Sequence, residues 1–575
     1  MNDQQMILDI ETDGLDPTVV WCAVFNDVDT GDTVVLEHPT KADIQAVIDT
    51  CDVIIGHNMI GYDQPVLERL LDIDFSGVKI EDTLVMSRLD NPSREGGHSL
   101  ASWGTRLGFP KGDYNDWTRL TPEMVSYCIQ DTEVTRRLYK ATTLQHCLGT
   151  QALHLEYQVQ DIISTQIKTG WTLDEGKAYE LLGTLRERKN NLTDEVLKVF
   201  RPLPTFIKEI TPKINKDGKL SKVGLNCLGD DYPTALGPFS RVDYPEFNLG
   251  SRPQIAKHLI HFGWKPLEFT PTGKPMVDEG VLKGVTNIPE AALIFDYLLI
   301  QKLIAQVTSW VDAIKPDGRV HGYVNPIGAV TNRMTHSSPN LAQVPSAKSP
   351  YGHECRACWT VAKGYKLVGM DASGLELRML AHYMNDEGYT AELLLGDIHT
   401  ANMKAAGLDS RDTAKTFVYA YLYGAGDAKI GSIVGKGAGA GRKLKKKFLD
   451  NTPALATLRE EIDRACKKGY LRSIDGRKIE VRSPHAALNT LLQSAGAIVM
   501  KKALVILDEY ALLQGLDYKF VGNIHDEIQA EVLESDAIKF GRLAVQSMIA
   551  AGKRLGFRLP IDGEYKIGDN WSQTH

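Results

Sequence analysis

The sequence predicts a multidomain chain of mixed α/β and α+β architecture, and three observations carry that prediction. At 575 residues the chain is too long for one hydrophobic core, so its length favours about two to four domains. Up to about residue 150, apolar strands such as MILDI and the DVIIG of Asp52–Gly56 alternate with helical segments such as Thr121–Lys140. That alternation marks a compact α/β domain. Further on, long helical stretches flank a strand at Lys366–Met370 and a strand–turn–strand at Phe520–Val532, an α+β signature.

Taken in order, the opening MILDIETDGL is a strand running into a turn, DVIIG a second strand, and Thr121–Lys140 a helix. Leu153–Phe200 is long and helical, interrupted at Gly170. Pro and Gly thicken from Arg201 to Phe247, marking an insertion or hairpin region. There IKEITPKINK and KLSKVGL flank Asp217-Gly218, a dipeptide suited to a type I′ turn. Its lysines are Lys208, Lys213, Lys216, Lys219 and Lys222. A mixed segment reaches Ser349; helices follow at Arg411–Tyr423 and Pro484–Leu513, with no repeats or low-complexity tracts.

Hydrophobic content of 43% and charged content of 24% are those of an ordinary globular protein. No apolar run approaches the ~20 residues that span a bilayer, and the start lacks a signal-peptide pattern. Eight scattered cysteines suit free thiols in a reducing cytoplasm. A net charge of -8 and a pI near 6.0 do not advertise a nucleic-acid binder, so positive charge for such a partner must be local. Lys436, Arg442, Lys443, Lys445, Lys446 and Lys447 form one such run with no acid among them, although a run like this is ordinarily a solvated helix face. GSIVGKGAG is one residue short of a phosphate-binding GxxxxGK and lacks the following Ser or Thr; a flexible loop is the better reading. Cys355 and Cys358 form a lone CxxC without a second pair at zinc spacing.

Four acids near the N-terminus form the first constellation. Asp9 and Glu11, two apart on a strand, leave the same face. Asp63 lies in GHNMIGYD just beyond the second strand, and Tyr127 and Asp131 share a helix face. Converging carboxylates of this kind hold a pair of hard cations that activate water and stabilise the leaving oxygen of a phosphodiester, with Tyr127 placed to orient the water. The second constellation is Asp371, ending the strand KLVGMD, and Asp526, in the hairpin turn of IHDEIQAEV. With the Ala372 carbonyl they would grip two metal ions around a nucleoside triphosphate. Between them Arg411, Lys415, Tyr419 and Tyr423 recur every four residues as one helical stripe. Its cations suit a triphosphate and its tyrosines a sugar and base.

The DxE, HNxxxYD and YxxxD strings, in this order, resemble the DnaQ-like (DEDD) exonucleases in their tyrosine-bearing subgroup. DASGLELR, RDTAKTFVYAYLYGAG and HDE resemble motifs A, B and C of family A (DNA polymerase I-like) enzymes. NPIGAVTNRMTH, NLAQVP, GDIHTAN and VRSPHAALNTLLQSAGA resemble the replicative polymerases of short-tailed bacteriophages, and the likeness runs from Asp9 to Trp571. It implies an RNase H-like 3′→5′ exonuclease domain over residues 1–150 and a right-hand polymerase domain over 151–575. The thumb would be 151–305 with its insert at 201–247, the palm 306–385 and 480–575, and the fingers 386–479.

The resemblance implies template-directed DNA synthesis from dNTPs with proofreading, as in replication of phage DNA. It implies two Mg²⁺ in each site, replaceable by Mn²⁺, held by Asp371, Ala372 and Asp526 and by Asp9, Glu11, Asp63 and Asp131. His399, Arg411 and Lys415 would meet the triphosphate, Tyr419 and Glu376 its sugar, and Tyr423 the templating base. Arg333, Arg482, His485, Asn489 and Gln493 would line the primer-template groove. Asn332 departs from the glycine that close phage relatives carry before the Arg. A phage helicase-primase and a single-strand DNA-binding protein fit the resemblance as partners, in the cytoplasm of the infected host and without a membrane. Dependence on host thioredoxin, which some relatives recruit through a larger thumb insert, is not expected of so short a segment; nor is a 5′-nuclease, with no room before Asp9. An RNA polymerase with a related palm is the main rival, and Glu376 paired with Tyr419 would crowd its 2′-hydroxyl.

Overall fold

Residues 4–143, 150–211, 213–219, 221 and 238–575 are described by the structure, a computed structural model. The chain divides into one unit of Met1–Asp174 with Ala313–His575 and a second of Glu175–Asp312.

The apolar run of β1 (Gln5–Thr12) is buried on both sides, as befits the middle strand of a sheet covered on both faces. It pairs antiparallel with β2 (Val20–Asp27), which pairs with β3 (Thr33–Glu37), and parallel with β4 (Val53–Gly56), which pairs with β5 (Lys79–Asp82). The strand expected second is therefore fourth in the chain. VWCAVFND, a nearly continuous apolar run, and the mostly exposed edge strand TVVLE precede it. Helix α1 (Pro122–Thr143) packs on β1 and β2, and α2 (Thr150–Thr169) follows.

The later sheet of the same unit comprises β6 (Tyr365–Ala372), β7 (Tyr518–Ile524), β8 (Glu527–Leu533) and β9 (Gly563–Gly568) in the order β7-β8-β6-β9, all antiparallel. Helix α3 (Arg411–Leu422) buries Ala414, Phe417, Val418, Tyr421 and Leu422, which leaves the Arg411–Lys415–Tyr419 stripe on its other face. Asp427–Ile433 and Ala438–Asp450 are helices, so the GSIVGKGAG segment is a tight helix–turn–helix instead of a flexible loop.

Helix α4 (Ala487–Leu513) is apolar nearly all round because it is buried nearly all round. By length and composition alone, Ala291–Val311 and Pro484–Leu513 are each long and apolar enough to cross a membrane. This corrects the sequence reading, which looked for uninterrupted apolar runs. The second of them is mostly enclosed in the core. Charge is enclosed beside it: Glu156 of α2 accepts from Lys501 at 2.7 Å and from Arg477, which also pairs with Asp475 at 2.7 Å. All four side chains are at most 1% exposed, and the two acids match the two cations.

In the second unit, helices Glu175–Val199 and Ala291–Val311 pack together, and strand Thr205–Ile210 pairs antiparallel with Phe239–Asp243. Between those strands Gly218 N–H donates to Asn215 O and Asn215 N–H to Lys219 O. Gly218 alone of the turn takes positive φ, +78°, so the turn is a three-residue loop closed by a left-handed glycine and not the two-residue type I′ turn. Lys222 lies outside the described residues.

Candidate functional sites

The N-terminal site grows from the edge of β1. Asp9 and Glu11 bring their carboxylates, with the Cys128 thiol of α1, within 4.8 Å of one another. Asp63 begins the helix Asp63–Leu71 and accepts from Ile10 N–H at 3.3 Å, which ties it to the same strand. Asp82, fully buried, holds the intervening turn by accepting from Asn58 N–H at 3.1 Å and Ile60 N–H at 3.2 Å. Asp131 on α1 is buried and pairs with Lys111, while among the described residues its Oδ1 meets no hydrogen-bond partner. Tyr127, one turn earlier, lies with its ring 4.6 Å from the Lys111 ammonium.

So the structure gathers Asp9, Glu11, Asp63, Tyr127 and Asp131. Burial and then the Asp131 charge push Asp9 up to about 7. Burial, then Asp9 and Asp131, push Glu11 up to about 10. Burial and then Asp9 raise Asp63 well above the carboxylate range. Buried acids that repel one another, one with an oxygen left unpartnered, fit divalent cations. Lys111, Cys128 and Asp82 escaped the sequence reading. Asp82 alone carried a signal, as the N-cap of helix Thr83–Asp90.

The second site forms where β6 meets the β7–β8 turn. Ile524 pairs with Glu527, leaving His525-Asp526 as a two-residue turn, and His525 takes φ +61°, a left-handed conformation uncommon outside glycine, though His is among the residues that adopt it more often. That strain, of order 1 kcal/mol or more, swings Asp526 to the end of β6, where Ala372 N–H donates to Asp526 O at 3.1 Å. Burial and then the Asp526 charge push Asp371 up to about 6. Burial and then Glu376 raise Asp526, opposed by His525 and Arg333. These facing acids also fit a divalent cation.

Around them stands the α3 stripe. Arg411 Nε donates to Asp397 Oδ2 at 2.8 Å, at the N-cap of helix Ile398–Ala406. The His399 and Tyr419 rings are 6.4 Å apart, those of Tyr419 and Tyr423 6.3 Å, and Lys415 is exposed. Glu376 accepts its hydrogen bond from Tyr423 OH at 3.2 Å, rather than from Tyr419, the partner the sequence suggested; the Glu376 charge does raise the Tyr419 phenol after burial.

Arg333 lines a small cleft with His525 and Lys501. Asn489 and Gln493, one turn apart on α4, are half-buried, and His485 and Arg482 are exposed. Arg482 donates to Ser93 Oγ, 389 residues earlier in the chain. Asn332 takes φ +57° and accepts from Ser494 Oγ at 3.3 Å, so an asparagine meets a backbone demand that glycine would also satisfy. Sequence reading missed His575, whose Nδ1 is 3.0 Å from Glu527 Oε2 and which lines, with Asp371, Ser346, Lys348 and Lys566, a cavity of about 280 Å³.

Comparison with known proteins gives the family of the chain. The chain is 35% identical to the DNA-directed DNA polymerase of Escherichia phage T7, over 99% of this chain and 100% of that one. It is also 35% identical to that of Enterobacteria phage T3, over 92% and 94%. Its fold matches the POL domain of Pol1 from M. smegmatis, solved with DNA primer-template and dNTP, at a TM-score of 0.79 and 18% identity, covering 100% of this chain and 96% of that one. Residues 239–573 match the model of DNA polymerase family A, and with two phage DNA polymerases 35% identical along nearly the whole chain, the chain belongs to that family.

Proposed function

We propose that this family A polymerase extends a DNA primer on a template from dNTPs at the Asp371/Asp526 site and proofreads by 3′→5′ hydrolysis at the Asp9/Glu11/Asp63/Asp131 site. The observation that carries the reading is the presence of two separate acid clusters in one chain, Asp9 and Glu11 with Asp63 tied to their strand, and Asp371 at the end of β6 where Ala372 N–H meets Asp526 O. Divalent metal ions serve the family; here two Mg²⁺ per site would supply Lewis acidity toward the phosphate and the attacking oxygen. Asp371, Asp526 and the Ala372 carbonyl would hold them in one site, and the four N-terminal acids in the other.

The chain's own groups do the rest. Arg411, Lys415 and His399 face the triphosphate, with Asp397 orienting Arg411. Glu376, held by Tyr423, and Tyr419 border the sugar and leave no room for a 2′-hydroxyl. Arg333, Arg482, His485, Asn489 and Gln493 line the duplex groove, and Tyr127 orients water in the N-terminal site. We assign the N-terminal domain to residues 1–150 and thumb, palm and fingers as the resemblance implies. The work would be replication of phage DNA in the infected cell.

The two activities are separable. Asp9→Ala with Glu11→Ala removes metal charge from one site only, so digestion of a labelled single strand should fall at least a hundredfold while primer extension persists. Asp526→Ala should do the reverse. A gel assay with Mg²⁺ and dNTPs reads both, and wild-type digestion by the Asp9/Glu11 variant would sink the exonuclease assignment. Extension with rNTPs in place of dNTPs would favour the RNA polymerase reading.

A further inference from the structure

Lys111 belongs to no helix or strand and to no motif, yet its surroundings are built to place it. Its ammonium pairs with Asp131 and lies 4.6 Å from the Tyr127 ring. Both flanks are fastened. A Cβ on Gly104 would stand 2.8 Å from Lys111 N, an approach that requires glycine, and one on Gly112 would stand 3.0 Å from the Tyr127 ring, close enough that the ring would have to give. Gln130 Nε2 donates to Pro110 O at 2.5 Å, and Arg137 stacks 3.9 Å over the Phe109 ring. Tyr127, Gln130, Asp131 and Arg137 all lie on α1, so the loop is clamped to the helix that carries the site's acid and tyrosine.

On its other side Lys111 lines a cavity of about 610 Å³ with Arg88, Lys168, His57, Asn58 and Tyr323. That volume lies within the range of small-ligand sites, and the lining cations suit a phosphate. Asp131 has no other described cation on it, and four buried acids with no counter-charge would repel one another.

We propose that Lys111 is a positioning residue that competes with metal for the Asp131 carboxylate: it holds the acid cluster together while no cation is bound, and, once displaced, turns its ammonium to the phosphate of a primer end in the cavity. This rests on the exonuclease reading of the N-terminal acids. No bond is made or broken by Lys111; one ion pair is exchanged for another.

The test uses the full chain carrying Asp371→Ala and Asp526→Ala, so that metal binding reports the N-terminal site. Mn²⁺ titration followed by electron paramagnetic resonance should show Lys111→Ala and Lys111→Gln half-saturating at a concentration at least threefold lower than the parent, with Lys111→Arg close to the parent. A side chain that merely supports the fold would not tighten metal binding. Single-turnover digestion of a labelled single strand at saturating Mg²⁺ should slow at least tenfold in Lys111→Ala and Lys111→Gln and recover in Lys111→Arg. Unchanged or weaker Mn²⁺ binding in both neutral variants overturns the competition, and unchanged digestion overturns the phosphate role. If the parent itself digests DNA no faster than its Asp9→Ala/Glu11→Ala derivative, the exonuclease reading fails instead.

Discussion

His525 and Asn332 hold backbone that L-residues seldom adopt, and each stands beside a functional side chain, Asp526 and Arg333. For Asn332 the left-handed conformation is eased by the short amide and secured by Ser494. Replacing it with Ala leaves the φ demand of about 1–2 kcal/mol uncompensated and leaves the buried Ser494 hydroxyl with Ser473 as its hydrogen-bond partner. Asn332→Ala should therefore lower the melting temperature by several degrees, while Asn332→Gly should lower it less; calorimetry decides. The N-terminal acids make a second prediction. Their native pKa values lie above those of the unfolded chain, so above about pH 4 the native state holds protons that the unfolded chain has released. In EDTA, stability contributed by this site should fall as pH rises from about 5 through about 7, where Asp9 titrates. Mg²⁺ should restore it at about pH 8, and Asp9→Asn/Glu11→Gln should flatten the dependence. A metal-free melting temperature that rises over that interval would contradict the burial of these carboxyls.

At the scale of elements, α4 is fixed by charge as well as by packing. Lys501 and Arg477 share Glu156 with almost no exposure. Removing one partner of such a group leaves an unmatched buried charge, so Lys501→Met should destabilise the chain by about 3–5 kcal/mol in urea unfolding. Lys501→Met with Glu156→Gln should recover much of that loss. The hairpin tip of the second unit behaves differently: Lys213, Lys216 and Lys219 are exposed, and a basic hairpin can track duplex phosphates without reading sequence. Changing all three to Ala should shorten products per binding event under a DNA trap. It should also flatten the log-log salt dependence of binding by about 0.9 per lost phosphate contact; wild-type values in both assays would leave the hairpin a solvated surface. Strong periods made α1, α3 and α4 legible in the sequence to within a few residues. The edge strand β3 and the glycine-led β9 were not, since pairing with neighbours defines them more than their own residues do.

For the molecule as a whole, the acids of both sites were legible because chemistry fixes their type and the strand or helix period fixes their direction. Lys111, Cys128 and His575 were not, because a loop, a thiol and a terminal residue gain their neighbours only from tertiary folding. The same distinction governs the ion group on α2. Glu156 precedes Lys501 by 345 residues, and at a synthesis rate of about 5–20 residues per second the carboxylate leaves the ribosome roughly 20–70 s before its partner. Through that interval Glu156 cannot be buried as an ion without the cations that match it. The sheet of β1–β5 has all its strands by residue 82 and its covering helix by residue 143. The nascent chain therefore holds every strand of this sheet well before α4, which brings Lys501 to Glu156, has been made.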